Sequence, residues 1–419
     1  MDTTKYIPTT EAIDHAATVL SEILEPTPFM KNNHLSDIYD AEVYLKREDL
    51  QMVRSYKIRG AYNMIRSLSA ESLKNGIVCA SAGNHAQGVA FSCSKLKIVG
   101  SIFMPVTTPK QKIEQVRMFG KEFIEIVLTG DTFDAANSAA IRYAEENGKT
   151  FIPPFDHPKV MEGQGTIGKE ILSQAPDKLD YIFVPIGGGG LASGLGSYIK
   201  AMSPETKIIG VEPGGAPCMK AAIENGGPVE LEEIDKFVDG AAVKKAGAKT
   251  YEVCREVLDD IVVVPEGAVC TTIIQMYNKS AIVVEPAGAL SSAALRFYAD
   301  KIKGKKVACI VSGSNNDITR MEEIREKSLL YEGLKHYFLI NFPQKSGAVL
   351  SFIRDVIGPT DDLVYIQYIR KTNKESGPAL IGIELAAKED FDALIRRMEA
   401  HGVSYEYINE NNKLFEILI

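Results

Sequence analysis

From about residue 40 to 320, short apolar runs alternate with segments whose apolar residues recur at helical spacing. Ile77–Ala80, Tyr181–Ile186, Lys207–Val211 and Val307–Val311 are short and continuously apolar, the pattern of strands buried on both faces of a parallel sheet. Between them the period is 3.6, as where Ala86, Val89, Ala90 and Cys93 share one face. Strands alternating with amphipathic helices predict an α/β fold built on open parallel sheets.

The texture changes near residue 322. Met321–Ser328 is charged and has little to bury. The expected division is a large region over 1–325 with a smaller subdomain inserted at about 53–155, a connector over 326–334 and a separate domain over 335–419. In that last stretch His336–Phe342 reads as a strand, followed by a helix with Val349, Phe352, Ile353 and Val356 on one stripe. Gly358-Pro359 ends it, since glycine caps a helix and proline cannot continue one. Strands Leu363–Arg370 and Ala379–Leu385, a helix carrying Phe391, Leu394, Ile395 and Met398, and a strand Val403–Ile408 complete a βαββαβ, ferredoxin-like order.

Composition narrows the function. At 45% hydrophobic and 24% charged, the 419 residues are those of an ordinary globular protein. A net charge of −8 disfavours a nucleic-acid partner. No apolar run reaches the roughly 20 residues of a membrane span. Met1–Lys5 is neither basic nor followed by an apolar stretch, so no signal peptide is expected. The six cysteines form no C-x-x-C pair and lie in apolar segments, which predicts free core thiols and a reducing, cytoplasmic compartment. No cluster has metal-ligand spacing, so no metal is expected.

Four loops carry candidate chemistry. In Ser55-Tyr56-Lys57-Ile58-Arg59-Gly60-Ala61, Ser55 is an expected N-cap, which puts Lys57 in the first helical turn. There the helix dipole disfavours a cation and favours the free amine that a Schiff-base lysine needs. Ser81-Ala82-Gly83-Asn84-His85 lies between a strand and a helix, where backbone N–H groups make an anion site of carboxylate size. His85 reads more simply as a packed histidine than as a base. Gly187-Gly188-Gly189-Gly190 has no propensity reason to exist, and permits close backbone approach to a phosphate. Gly187-x-Gly189-x-x-Ala192 with Glu212 also fits a dinucleotide fingerprint, so the phosphate is open between two cofactor classes. Ser312-Gly313-Ser314 follows another buried strand.

Jointly these motifs, with Glu162-Gly163-Gln164-Gly165-Thr166 and Val284-Glu285-Pro286-Ala287-Gly288-Ala289, resemble the fold-type II pyridoxal phosphate enzymes, the tryptophan synthase β family. Within that family they resemble the threonine/serine dehydratases. Tyr56 stands where the family often has Phe. The final domain resembles an ACT-like regulatory domain, present once. The resemblance implies that Lys57 holds the cofactor and, once displaced by substrate, removes the Cα proton. Tyr56 would flank the cofactor, Gly187–Gly190 with Leu191 would bind its phosphate, and Asn84 would meet its phenolic oxygen. Ser312 would sit at the pyridine nitrogen, and Ser81, Ala82, Gly83, Asn84 and His85 would grip the substrate carboxylate. It further implies dehydration of threonine, isoleucine as inhibitor with valine opposing it, and a homotetramer. A dinucleotide (NAD) enzyme would explain one loop and one acid, and an amino-acid sensor neither Lys57 nor the glycines. A serine dehydratase or racemase is the remaining alternative.

Overall fold

The apolar runs become strands, in the order β1 (Phe29–Lys31), β2 (Glu42–Arg47), β3 (Ile77–Ala80), β4 (Gly100–Met104), β5 (Ile124–Leu128) and β6 (Thr150–Phe151). β7 (Tyr181–Pro185), β8 (Lys207–Pro213), β9 (Asp260–Val264) and β10 (Lys306–Val311) follow. The computed structural model describes residues 6–369, 375–411 and Phe415. They divide into one unit up to Ile318 and a second from Thr319.

The first unit holds two sheets, β1-β2-β10-β7-β8-β9 and β5-β4-β3-β6. The pairings are parallel apart from β1 with β2. The two open parallel sheets are as expected, with one antiparallel strand added at an edge. A parallel crossover needs a dozen or more residues, and the link from Lys31 to Glu42 is too short for one. In the larger sheet Ile182, Val184, Ala308 and Ile310 pack with Leu191, Leu195 and Ile199 of the helix Gly190–Met202. In the smaller, Ile77, Cys79, Ile102 and Met104 meet Ala86, Val89, Ala90 and Cys93, the face read from the sequence, on the helix Asn84–Leu96. All six cysteines are free and buried. β3, β7 and β10 stop where the candidate loops begin, at the carboxyl ends where open α/β sheets take ligands.

The second unit runs helix Met321–Tyr331, β11 (Lys335–Pro343), helix Ala348–Asp355, β12 (Asp362–Tyr368), β13 (Ser376–Glu384), helix Phe391–Ala400 and β14 (Tyr405–Tyr407). Its sheet is antiparallel, β12-β13-β11-β14, the expected βαββαβ order. Phe352, Val356, Leu394 and Met398 join Phe338, Ile340, Ile381 and Ile383 in its core. Ile353 leaves the expected stripe and is 39% exposed. Arg370, assigned to a strand from Leu363, lies outside the described residues.

The expected connector over 326–334 needs correction. Most of it belongs to the helix Met321–Tyr331, and the unit boundary falls at 318/319, not 325/326. Its charges have partners: Arg325 pairs with Glu384 at 2.8 Å, Glu326 pairs with Lys335, and Tyr337 donates to Glu326 at 2.7 Å. Ile324 is buried. Ion pairs to the sheet supply the anchoring that apolar periodicity did not announce.

Candidate active site

Lys57 is placed by two loops that run side by side. The Tyr56 N–H donates to the Ser312 carbonyl at 3.1 Å, the Ser314 N–H donates to the Arg54 carbonyl at 2.9 Å, and Ser55 bridges Gly313. Ser55 is therefore not the expected N-cap, because that bridge commits its backbone to Gly313. The helix Lys57–Ser67 starts after Tyr56 without a side-chain cap, and the Ser55 hydroxyl is buried with no hydrogen-bond partner. Lys57 is the first helical residue, and its ammonium donates to the Pro154 carbonyl at 3.3 Å.

At the end of β3, Ser81 N–H donates to Phe103 O at 3.1 Å, and the Ser81 hydroxyl accepts the Gly83 N–H at 3.2 Å. The next helix begins at Asn84. The Asn84 carboxamide is held from both ends: its nitrogen donates to Glu285 Oε1 at 2.6 Å, and its oxygen accepts from Asn315 Nδ2 at 2.6 Å. His85 is a packed histidine. Its Nε2 lies 2.9 Å from the Ile152 carbonyl, and burial pushes its pKa down to about 3.

The glycine loop precedes the helix Gly190–Met202, with Gly189 at φ +94°. A Cβ on Gly188 would lie 2.3 Å from the Phe155 ring, and one on Gly190 would lie 3.0 Å from Phe155 Cβ. The glycines thus answer a packing demand that the sequence did not reveal. Leu191 is buried in the core of the larger sheet. Beyond β10, the Ser312 hydroxyl donates to the Ala287 carbonyl at 3.0 Å.

Tyr56, Lys57, Asn84, Gly187 and Ser312 line one cavity, with about 270 Å³ free of protein atoms. Pro185, Gly240, Ala241, Glu285 and Ala287 complete its walls. Gly188, Gly189, Gly190 and Leu191 are outside this lining, as are Ser81, Ala82, Gly83 and His85. Gly83 borders open space, since a Cβ there would meet nothing within 4 Å.

The sequence motif around Glu285 assigns that residue no role. It is buried in this wall, and burial first, then the Asp239 charge, pushes its carboxyl up to about 7. Glu212 is also pushed up to about 7 by burial, but it is occupied elsewhere. It accepts the Met219 and Lys220 N–H groups at 2.7 and 2.8 Å, capping the helix Cys218–Asn225. The dinucleotide alternative loses its acid there. Among the described residues, no group of three or more His, Cys, Asp or Glu side chains could hold a metal ion. No described helix is long and apolar enough to cross a membrane.

The wall presents a primary amine, a carboxamide and a hydroxyl, beside a glycine loop at a helix N-terminus. That donor set fits an aldehyde, a phenolic oxygen, a ring nitrogen and a phosphate, the four functional groups of pyridoxal phosphate.

Comparison with known proteins agrees with this chemistry. The family described as pyridoxal-phosphate dependent enzyme matches residues 20–313, and the C-terminal regulatory domain of threonine dehydratase matches residues 326–418. The biosynthetic L-threonine dehydratase of Halalkalibacterium halodurans is 56% identical over 98% of this chain and 99% of its own. That of Bacillus subtilis is 54% identical over 96% of this chain and 95% of its own. Among solved structures, the processed form of threonine deaminase isoform 2 from Solanum lycopersicum superposes with a TM-score of 0.72 at 38% identity. It covers 77% of this chain and 96% of that one. Maize serine racemase gives 0.71 at 30% identity, covering 78% of this chain and 99% of its own. The chain belongs to the pyridoxal-phosphate dependent enzymes, on the threonine dehydratase branch that carries a C-terminal regulatory domain.

Proposed function

We propose that the chain converts L-threonine to 2-oxobutanoate and ammonia by β-elimination, as the committing step of isoleucine biosynthesis. The observation that carries this reading is the convergence of Lys57, Asn84 and Ser312 on one cavity beside the glycine loop. Pyridoxal phosphate, when bound, supplies an aldehyde for the substrate amine and a ring that takes up the electron pair left at Cα. Lys57 would carry the cofactor at rest, and its freed amine would take the Cα proton. The loop Ser81 to His85 would hold the substrate carboxylate through its backbone, not through the packed His85 ring, and orient the Cα–H bond for that transfer. The β-hydroxyl would leave as water, carrying off the proton that Lys57 took from Cα, and the released enamine would become an imine that water hydrolyses to the 2-oxo acid and ammonia. Gly187–Gly190 and the Leu191 N–H would hold the phosphate, Tyr56 would flank the ring and Asn84 would meet its phenolic oxygen. Ser312 would sit at the ring nitrogen. A serine there does not enforce a ring cation as a carboxylate would. Ser312 would thus make the ring a weaker electron sink, which would favour prompt loss of the hydroxyl over transamination.

The second unit binds isoleucine as inhibitor and valine in opposition, in a cytoplasmic homotetramer. A distant effector can act only by preferring one of two states, with couplings of about 1–3 kcal/mol. The likeness to maize serine racemase leaves serine turnover as a second reading, while the regulatory match over 326–418 supports threonine. A threonine titration of the full-length holoenzyme with and without isoleucine tests both. Sigmoidal saturation with isoleucine present is expected. Indifference to millimolar isoleucine would remove the feedback role, and absence of 2-oxobutanoate would remove the threonine reading.

A further inference from the structure

A carboxyl group enclosed in a protein needs a reason, because its ionised form is costly to bury without partners. Glu212 has one, the capping of a helix start. Glu285 precedes the helix Pro286–Ala293 but does not cap it with its side chain. Its partners are the Asn84 carboxamide and the Asn315 backbone N–H. The backbone also leaves room for the carboxyl: a Cβ on Gly313 would lie 2.4 Å from Glu285 Oε1, and one on Gly240 would lie 3.4 Å from it.

The consequence falls on Asn84. Its oxygen faces the Asn315 donor and one nitrogen hydrogen goes to Glu285, so the amide cannot flip without losing both bonds. A carboxamide nitrogen carries two hydrogens, and one remains for the cavity that Asn84 lines. We infer that Glu285 is a positioning residue. Together with Asn315, it locks the Asn84 carboxamide so that its remaining N–H meets the phenolic oxygen of pyridoxal phosphate. This rests on the reading of Asn84 proposed above.

The test is a double-mutant cycle on the holoenzyme, read by pyridoxal phosphate affinity and the visible circular dichroism of the bound cofactor. Asn84→Ala and Glu285→Ala should each weaken the cofactor about tenfold or more. The double variant should be no worse than Asn84→Ala, within about twofold. Glu285→Gln, which keeps an accepting oxygen for Asn84, should recover most of the affinity and the wild-type dichroism. Glu285→Asp, which withdraws that oxygen while keeping the carboxyl, should not recover them. The Asp and Gln pair decides the matter even if Glu285→Ala fails to fold. Equal losses from Glu285→Ala with and without Asn84 would overturn the inference, as would full recovery in Glu285→Asp. If Asn84→Ala changes neither readout, the reading of Asn84 and this inference fall together. If Asn84→Ala weakens binding and the Glu285 variants do not, only the inference falls.

Discussion

The helix Lys57–Ser67 begins between two buried polar clusters whose groups are matched to different degrees. On one side Arg59 donates to Glu48 at 2.8 Å from both Nε and Nη2, to Glu170 at 2.6 and 3.0 Å, and to Thr166 at 3.0 Å. Lys46 reaches Glu170 at 2.5 Å, the Thr27 carbonyl at 2.7 Å and Gln174 at 2.8 Å. Burial works against the Glu170 carboxylate, but Arg59 and Lys46 outweigh it and hold its pKa below the ordinary range. On the other side, in and around the cavity, the Ser55 hydroxyl and the Asn315 side-chain oxygen are buried without partners. Glu285 there is pushed toward its neutral form by burial and Asp239. A network with each charge matched holds an element in place. One with spare donors and acceptors is prepared to hold something else.

Breaking the matched side should have the largest effect on stability. Arg59→Ala leaves the buried Glu48 and the half-buried Glu170 without their guanidinium and should cost about 3–5 kcal/mol in denaturant unfolding of the apoprotein. A loss below about 1 kcal/mol would mean the network behaves like a surface pair.

The less matched side should show itself in pH dependence. Glu285 has its folded pKa raised to about 7 from an ordinary 4.5. Between those values the folded state holds a proton that the unfolded state has released. Its contribution therefore falls as pH rises through that window and is flat above it, by on the order of 3 kcal/mol in all. Glu285→Gln should remove that slope from apoprotein stability measured across the window, leaving the similar slope of Glu212. An unchanged slope would show that Glu285 titrates normally. The smallest effect is expected at Ser312. Ser312→Ala loses one hydrogen bond, to the Ala287 carbonyl, worth about 1 kcal/mol. Chemical denaturation of the two proteins measures it, and a loss comparable to that of Arg59→Ala would move Ser312 into the structural class.

The two clusters also differ in what the sequence disclosed. The strands and the faces of their helices were legible because runs such as Val307–Val311 leave few alternatives. Lys57, Asn84, Gly187 and Ser312 were legible as loop residues after strands, and the fold brings them to one cavity. Contacts between distant residues were not legible. Phe155 against Gly188, Gly313 against Ser55 and Glu384 against Arg325 join segments with no local signature. Local sequence alone therefore points to a ligand at the glycines, a cap at Ser55 and a linker at Met321–Tyr331. Glu285 went unassigned because an acid inside an apolar motif declares its role only through its neighbours.

The central claim is that Lys57 is the residue on which the cofactor is held. Borohydride reduction of the purified holoenzyme, followed by peptide mapping, tests it most directly. The account predicts loss of the visible absorption band and a pyridoxyl group on the peptide containing Lys57. A pyridoxyl group on any other lysine, or a band that borohydride leaves intact, would contradict it.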